Sequence, residues 1–199
     1  MNRILFALTL SFLLTACGGN EADSSGSTEV PSAPPSVYAD AQQALESGEP
    51  AAKVAGLLID NFSKVSDQQT GIPIPQNSRD FVEVAVALSD RYPTDTIAAA
   101  PLYRAAEVAR STNEAQRAAT IYRTLYDRYP TFSNAPEALF MLAFTYDENL
   151  RDYDRARAVY EEFLEKHPDH FFAKDAPLMI KNLGKTSEEL LKELEQQGQ

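Results

Sequence analysis

The two histidines of the chain, His167 and His170, stand in the stretch His-Pro-Asp-His, with Asp169 beside the second. Imidazole and carboxylate groups bind transition metals, so this stretch is a candidate for a metal site. It also contains Pro168, and a proline breaks the helix that would align such ligands on one face. We therefore predict that both histidines are structural and that the chain binds no metal.

Catalytic chemistry has few other candidates in this sequence. Neighbouring carboxylates such as Glu161 and Glu162 lie in a charged stretch, where solvation is their expected role. The sequence contains no glycine-rich phosphate loop, no Gly-x-Ser-x-Gly elbow and no His-Glu-x-x-His motif. We predict a protein that is not an enzyme and that carries no cofactor.

The only cysteine, Cys17, closes an apolar run near the N-terminus. A basic residue, Arg3, precedes thirteen uncharged residues at 4–16. As a helix this run spans roughly 20 Å, which is shorter than the roughly 30 Å hydrocarbon core of a bilayer. A basic start, a short apolar run and small residues at its end are typical of an export signal that is removed.

The residues Leu14, Thr15, Ala16 and Cys17 resemble the lipobox of bacterial lipoproteins. The resemblance implies a lipoprotein signal peptide at 1–16 and lipidation of Cys17, which becomes the first residue of the mature chain. Because each buried CH₂ contributes about 0.8 kcal/mol, several acyl chains hold a soluble domain on a membrane. The alternative is an ordinary signal peptide that happens to contain a cysteine.

The amino-acid composition restricts the covalent cross-links that the chain can form and the classes of partner that it can bind. Since no cysteine follows Cys17, the rest of the chain forms no disulfide within itself. A net charge of −11 and a pI of about 4.6 argue against nucleic acid and against electrostatic adhesion to anionic lipid. Residues 17–36 are acidic and rich in Gly, Ser and Pro, which predicts a disordered tether behind the acylated cysteine.

An internal repeat organises the body of the chain. The tetrapeptide Asp-Arg-Tyr-Pro occurs at 90–93 and 127–130, and Lys-His-Pro at 166–168 takes the same place, at spacings of 37 and 38 residues. Such a fixed period is typical of a solenoid. Each of the last two prolines follows a helix with apolar residues at i, i+3, i+4 and i+7. These faces are Ala118, Ile121, Tyr122 and Leu125, and Ala156, Val159, Tyr160 and Phe163.

The clearest units, at about 98–131 and 135–168, resemble the tetratricopeptide repeat, a first helix, a tight turn and a second helix. The resemblance implies an all-α fold, a tetratricopeptide-like α-solenoid of antiparallel helix pairs behind a disordered N-terminal tether. Ala106 and Ala143 stand where that family has a small residue between two close helices. The usual glycine in the turn is absent from both units, and the second turn has one extra residue.

The helical domain is predicted to span residues 37–199. The sequence predicts a helical hairpin at 36–65 that turns at 47–50, followed by an exposed loop at 66–76 and a further helix at 77–93. Residues 172–197 predict a pair of capping helices, with Thr186 or Ser187 as an N-cap and Glu189 in a capping box.

The repeat resemblance also implies a concave groove that binds peptides and is lined by the first helix of each unit. By position, the groove residues are Tyr103, Glu107 and Arg110 in one unit and Phe140, Phe144 and Asp147 in the next. Exposed aromatic rings flanked by charges would suit an extended or helical segment of a partner. The alternative is that Phe140 and Phe144 are packed by neighbouring helices.

The plan of lipobox, short tether and repeats is similar to that of the BamD/YfiO family of outer-membrane assembly lipoproteins, over about residues 80–195. The resemblance implies a lipid-anchored scaffold or adaptor of the bacterial cell envelope. Its partners would be envelope proteins, including the β-barrel assembly machinery and unfolded outer-membrane proteins. This chain has three or so repeat-like units where that family has five.

The residue after the cysteine is Gly18 rather than Asp, which by the same resemblance favours the outer membrane, facing the periplasm. An acidic stretch follows, so display on the cell surface stays open. Two other functions also fit these features, namely a ligand-binding lipoprotein for glycans or peptides and an accessory subunit of a cell-wall enzyme.

Overall fold

The computed structural model describes residues 36–197, so the predicted signal peptide, Cys17 and the tether up to residue 35 lie outside the described residues. Within that range the chain forms nine α-helices and no β-strand, apart from one isolated bridge between Ser66 and Pro73. The helices are α1 (Ala39–Glu46), α2 (Ala51–Asp60), α3 (Pro75–Arg91), α4 (Ala99–Ser111), α5 (Ala115–Arg128), α6 (Ala135–Phe144), α7 (Tyr153–Lys166), α8 (Ala176–Asn182) and α9 (Ser187–Gln197). The predicted all-α solenoid is confirmed for this part of the chain.

Helices that follow one another in sequence also pack on one another from α1 to α8. The antiparallel pairs α4/α5 and α6/α7 form the two predicted units, and α1/α2 forms the hairpin before them. A pair of helices cannot cover both of its apolar sides alone, so each pair buries its second side against the next pair.

The second helix of each unit buries the face that its periodicity predicts. Buried residues include Ala118, Ile121, Tyr122 and Leu125 of α5, and Ala156, Val159, Tyr160 and Phe163 of α7. Ala106 and Ala143 of the first helices are 0 % exposed, because their small side chains let the paired helices approach closely.

Polar contacts fix one unit against the next at the ends of the second helices. The Tyr129 hydroxyl lies 3.0 Å from Ser89 Oγ, which links the end of α5 to α3. The guanidinium of Arg123 on α5 forms two hydrogen bonds, of 3.2 and 2.7 Å, to the Glu162 carboxylate on α7. Because both contacts join residues about one repeat apart, they set the register between successive units.

The His-Pro-Asp-His stretch takes part in the same packing. His167 Nε2 lies 3.0 Å from the Tyr126 hydroxyl, and His170 Nδ1 accepts a 3.3 Å hydrogen bond from the backbone N–H of Phe172. Over residues 36–197, no group of three or more metal-binding side chains converges.

Two left-handed residues replace the missing glycine in the turns. Asn113 between α4 and α5 has φ of 65°, and Arg151 between α6 and α7 has φ of 52°. The extra residue of the second unit is taken up by a π-helical turn, Thr145–Asn149, that directly continues α6. Such a turn closes i to i+5 hydrogen bonds, and here the Leu150 N–H donates to the Thr145 carbonyl at 3.0 Å.

The segment between α2 and α3 is exposed at its tip and anchored at both ends. Residues 67–72 are exposed, as predicted for a loop over 66–76, but residues 75 and 76 already belong to α3. At its base, Ser78 Oγ donates to the Val65 carbonyl and Asn77 Nδ2 to the Lys64 carbonyl, at 3.2 and 2.7 Å. A 3₁₀ turn, Phe62–Val65, precedes the tip, and Phe62 packs at 5.2 Å on the ring of Phe81 in α3.

The last helix begins with the predicted capping box. Thr186 Oγ1 accepts from the Glu189 N–H at 3.2 Å, and the Glu189 carboxylate accepts from the Thr186 N–H at 2.8 Å. None of the helices in the described range is both long enough and apolar enough to cross a bilayer.

Candidate functional site

The first helices of the two units carry the predicted groove residues. Tyr103, Glu107 and Arg110 follow one face of α4, while Phe140, Phe144 and Asp147 follow α6 and its π turn. We call these six residues the groove face. The guanidinium carbon of Arg110 lies 5.7 Å from the centroid of the Phe144 ring, so side chains from both units meet there.

Phe140 belongs to the core. Its side chain is 5 % exposed, and its ring stacks on Phe172 at a centroid distance of 4.5 Å. The rings of Tyr160 and Phe163 meet it edge-on, each at 5.4 Å. For Phe140 the structure therefore supports the packed alternative rather than an exposed ring that a partner could contact.

Tyr103 is also buried, with an exposed fraction of 7 %. Its ring meets Tyr122 edge-on at 6.1 Å. Burial raises the pKa of the Tyr103 hydroxyl, and the nearby carboxylates of Glu137 and Glu107 raise it further. The hydroxyl therefore stays neutral at ordinary pH, and the ring belongs to the core rather than to an open binding surface.

Asp147 lies in the π turn and is only 9 % exposed. Burial raises the pKa of its carboxyl to about 6, with a smaller contribution from the charge of Glu148. The hydroxyl of Tyr160 is buried without a hydrogen-bond partner within residues 36–197, and burial followed by the Asp147 charge raises its pKa. Asp147 is thus a buried acid that changes charge near pH 6.

Three residues of the groove face remain partly open to solvent, namely Glu107, Arg110 and Phe144. The Glu107 carboxylate forms an ion pair of 2.8 Å with Arg104, one turn earlier on α4. Arg110 forms no ion pair with any residue of the described range, and its buried Nε has no hydrogen-bond acceptor there. The open part of the face thus combines an aromatic ring with an uncompensated cation.

A second wall stands opposite α4, and the sequence did not indicate it. Part of the segment before α3 lies across α4 and encloses a cleft of about 630 Å³. The cleft is lined by Phe62, Ser63, Val65, Ser66, Gln68, Gly71 and Pro73 on one side and by Glu107, Val108, Arg110 and Ser111 on the other. The two walls are about forty residues apart in sequence, so no local pattern could reveal that they meet.

The arrangement is suited to binding. Apolar and polar side chains both line the cleft, one cation stands at its α4 wall, and the acid on the same wall already has a partner. Polar groups in such a cleft fix the orientation of a bound segment.

Comparison with known proteins gives one match. Residues 102–131 and 137–170 match the tetratricopeptide repeat family, and these ranges cover most of the helix pairs α4/α5 and α6/α7. No curated protein and no solved structure matches the chain. Repeats of this kind indicate protein partners. Two repeats of this kind are thus matched in sequence and present as paired helices in the fold.

Proposed function

We propose that the protein is a lipid-anchored adaptor of the bacterial cell envelope that binds protein partners through the open part of its groove face. The observation that carries the proposal is the contact between Arg110 and Phe144, which come from the first helices of two successive repeats. Arginine and aromatic side chains are enriched among residues that contribute most to protein binding. The proposal assigns no catalytic step to the chain.

The anchoring part of the proposal rests on the sequence. Leu14–Cys17 resembles a lipobox, and the acidic stretch behind it is suited to a tether. With Gly18 after the cysteine, we place the anchor in the outer membrane, facing the periplasm. The resemblance to the BamD/YfiO family makes the β-barrel assembly machinery and unfolded outer-membrane proteins the first partners to test.

Labelling with a palmitate analogue tests the anchor. We expect label on the wild-type protein and its recovery with outer membranes on a density gradient, and loss of both in Cys17→Ser. Protease treatment of intact cells would then separate a periplasmic from a surface position. An unlabelled, freely soluble wild-type protein would overturn the anchoring part of the proposal.

Proximity labelling in cells tests the partner-binding part. We expect a reproducible set of envelope proteins around the wild-type protein and a loss of that set in Phe144→Ala. Phe171→Ala is the matched control, because Phe171 is a phenylalanine outside the groove face that is 67 % exposed. If Phe144→Ala keeps its helix content and still labels the same set as Phe171→Ala, the groove face is not the binding surface.

A further inference from the structure

The cleft between α4 and the segment before α3 contains a cation that the chain itself does not neutralise. We propose that this cleft binds an Asp or Glu side chain that lies between apolar residues in an extended segment of the partner protein, with Arg110 as the anchor. The inference rests on the proposed function and deepens it by naming the chemistry of the partner.

The lack of an ion pair within the described residues sets Arg110 apart from the other arginines of α4 and α5. All four of those form ion pairs, Arg104 with Glu107 at 2.8 Å, Arg117 with Glu114 at 3.1 Å, Arg123 with Glu162 at 2.7 Å and Arg128 with Asp90 at 2.9 Å. Arg110 has no carboxylate within 4.0 Å in the part of the chain that the structure describes. A half-buried cation without a counter-ion is an unfavourable arrangement that a carboxylate from a partner would relieve.

One donor of the Arg110 side chain is also buried without an acceptor. Arg110 Nε has no hydrogen-bond partner within residues 36–197. The guanidinium lies beside the Tyr122 hydroxyl, since burial raises the pKa of Tyr122 to about 12 while a hydrogen-bonding contact with Arg110 acts in the opposite direction. Buried donors in native proteins are nearly always satisfied, so the Arg110 Nε–H points to an acceptor that comes from outside the chain.

The guanidinium is held in place before any partner arrives. It lies over the Phe144 ring at 5.7 Å, a distance at which the ring attracts a cation. The opposite wall is fixed by the Ser66–Pro73 bridge and by the hydrogen bonds from Asn77 and Ser78. A preformed site loses less conformational entropy on binding than a flexible one.

The remaining walls explain why the partner residue is flanked by apolar side chains. Phe62, Val65 and Pro73 line one side of the cleft and Val108 the other. Ile72, next to Pro73, is 65 % exposed. An apolar residue beside the carboxylate would cover these surfaces, and burial of apolar area is the main source of favourable free energy in association.

The net charge of the chain argues against a run of acidic residues in the partner. At −11, the chain repels a strongly acidic segment at long range. Glu107 also stands on the same wall as Arg110. A single carboxylate among apolar residues satisfies Arg110 without adding that repulsion.

Selection from a displayed library of random decapeptides, with the full-length mature protein as bait, tests the inference. We expect the selected peptides to share one Asp or Glu between apolar residues. Synthetic copies with blocked termini should lose about tenfold or more in affinity when that residue becomes Asn or Gln, and equally when the bait is Arg110→Met. Arg117→Met is the control, since Arg117 is paired with Glu114 and does not line the cleft.

Several outcomes would overturn the inference. The inference is wrong if the selected peptides contain no acidic residue, or if they bind Arg110→Met and the wild-type protein with the same affinity. It is also wrong if the peptides need only a free C-terminal carboxylate, or if the selection yields no binding peptide. Proximity labelling separates this failure from that of the adaptor role. If Arg110→Met keeps the wild-type set of envelope neighbours, the adaptor proposal stands while the carboxylate site is wrong.

Discussion

At the scale of single residues, Phe140 and Phe144 lie one turn apart on α6 and differ in burial. Phe140 is enclosed by Phe172, Tyr160 and Phe163, while Phe144 is partly open beside Arg110. We expect Phe140→Ala to lower the free energy of unfolding by about 3–5 kcal/mol, because it removes a buried ring and leaves a cavity. Phe144→Ala should cost roughly 1 kcal/mol, since less area is lost from the interior. Urea unfolding followed by circular dichroism measures both, and equal losses would contradict the different roles.

Asp147 makes stability depend on pH in the direction opposite to that of most acids. Its folded pKa of about 6 lies above the ordinary value of 3.8. The folded state therefore binds more protons between these values, and stability falls as pH rises from 3.8 to 6. We expect Asp147→Asn to be more stable than the wild-type protein at pH 7, by on the order of 1–2 kcal/mol, and equally stable near pH 3.5.

Urea unfolding of both proteins at several pH values tests this expectation. Comparison of the variant with the wild-type protein cancels the contribution of Glu162, whose pKa is lowered to about 2 by its hydrogen bond to Arg123. That group acts in the opposite sense, because its stabilisation is lost as pH falls through the folded pKa. A difference between variant and wild type that is the same at every pH would show that Asp147 is not the titrating group.

At the scale of elements, the turns inside the two repeats differ in strain. Arg151 adopts a left-handed conformation that is unfavourable for a residue with a long side chain, whereas Asn113 is of a type that tolerates it. We expect Arg151→Gly to raise the free energy of unfolding by about 0.5–1 kcal/mol and Asn113→Gly to change it little. Thermal unfolding of the two variants makes the comparison. Arg151 Nη1 also donates a 3.5 Å hydrogen bond to the Tyr153 hydroxyl. A loss of stability in Arg151→Gly alone would mean that this contact outweighs the strain.

The elements also show which parts of the fold a sequence can specify. In α5 and α7 the apolar residues fall on one face, so periodicity alone identified their buried sides. In α6 the run Ala-Leu-Phe-Met-Leu-Ala-Phe is apolar all round, and no period distinguishes Phe140 from Phe144. The difference in burial comes from Phe172. This residue follows α7 in the sequence, and its ring stacks on that of Phe140.

The candidate site was predictable only on its α4 and α6 sides, because repeat positions carry over from one unit to the next. Its second wall depends on how the segment around Phe62 and Pro73 crosses α4, and that contact has no counterpart in the repeat. The extra residue in the second turn was visible in the sequence. That it would form a π turn and bury Asp147 depends on packing against α5 and α7.

At the scale of the whole described domain, a solenoid is stabilised by contacts between neighbouring units, so its ends have to be covered. At the C-terminal end the cover is the segment that follows α7. Phe172 stacks on Phe140 there, and Met179, Ile180 and Leu183 are partly buried against the core. The last helix, α9, is different, since it is rich in charged residues and Leu191 within it is 58 % exposed.

Truncation after His170 should therefore expose the end of the second repeat. We expect faster amide hydrogen exchange in α6 and α7, because the stack on Phe140 is lost, with little change in α1–α3, which have no extensive contact with the removed segment. Truncation after Lys185, which removes α9 alone, is the control and should leave exchange in α6 and α7 close to that of the full chain. Hydrogen exchange measured by mass spectrometry resolves the helices separately. If the longer truncation instead accelerates exchange equally from α1 to α7, the helices unfold as one cooperative unit, and stability in this chain is not a sum over neighbouring repeats.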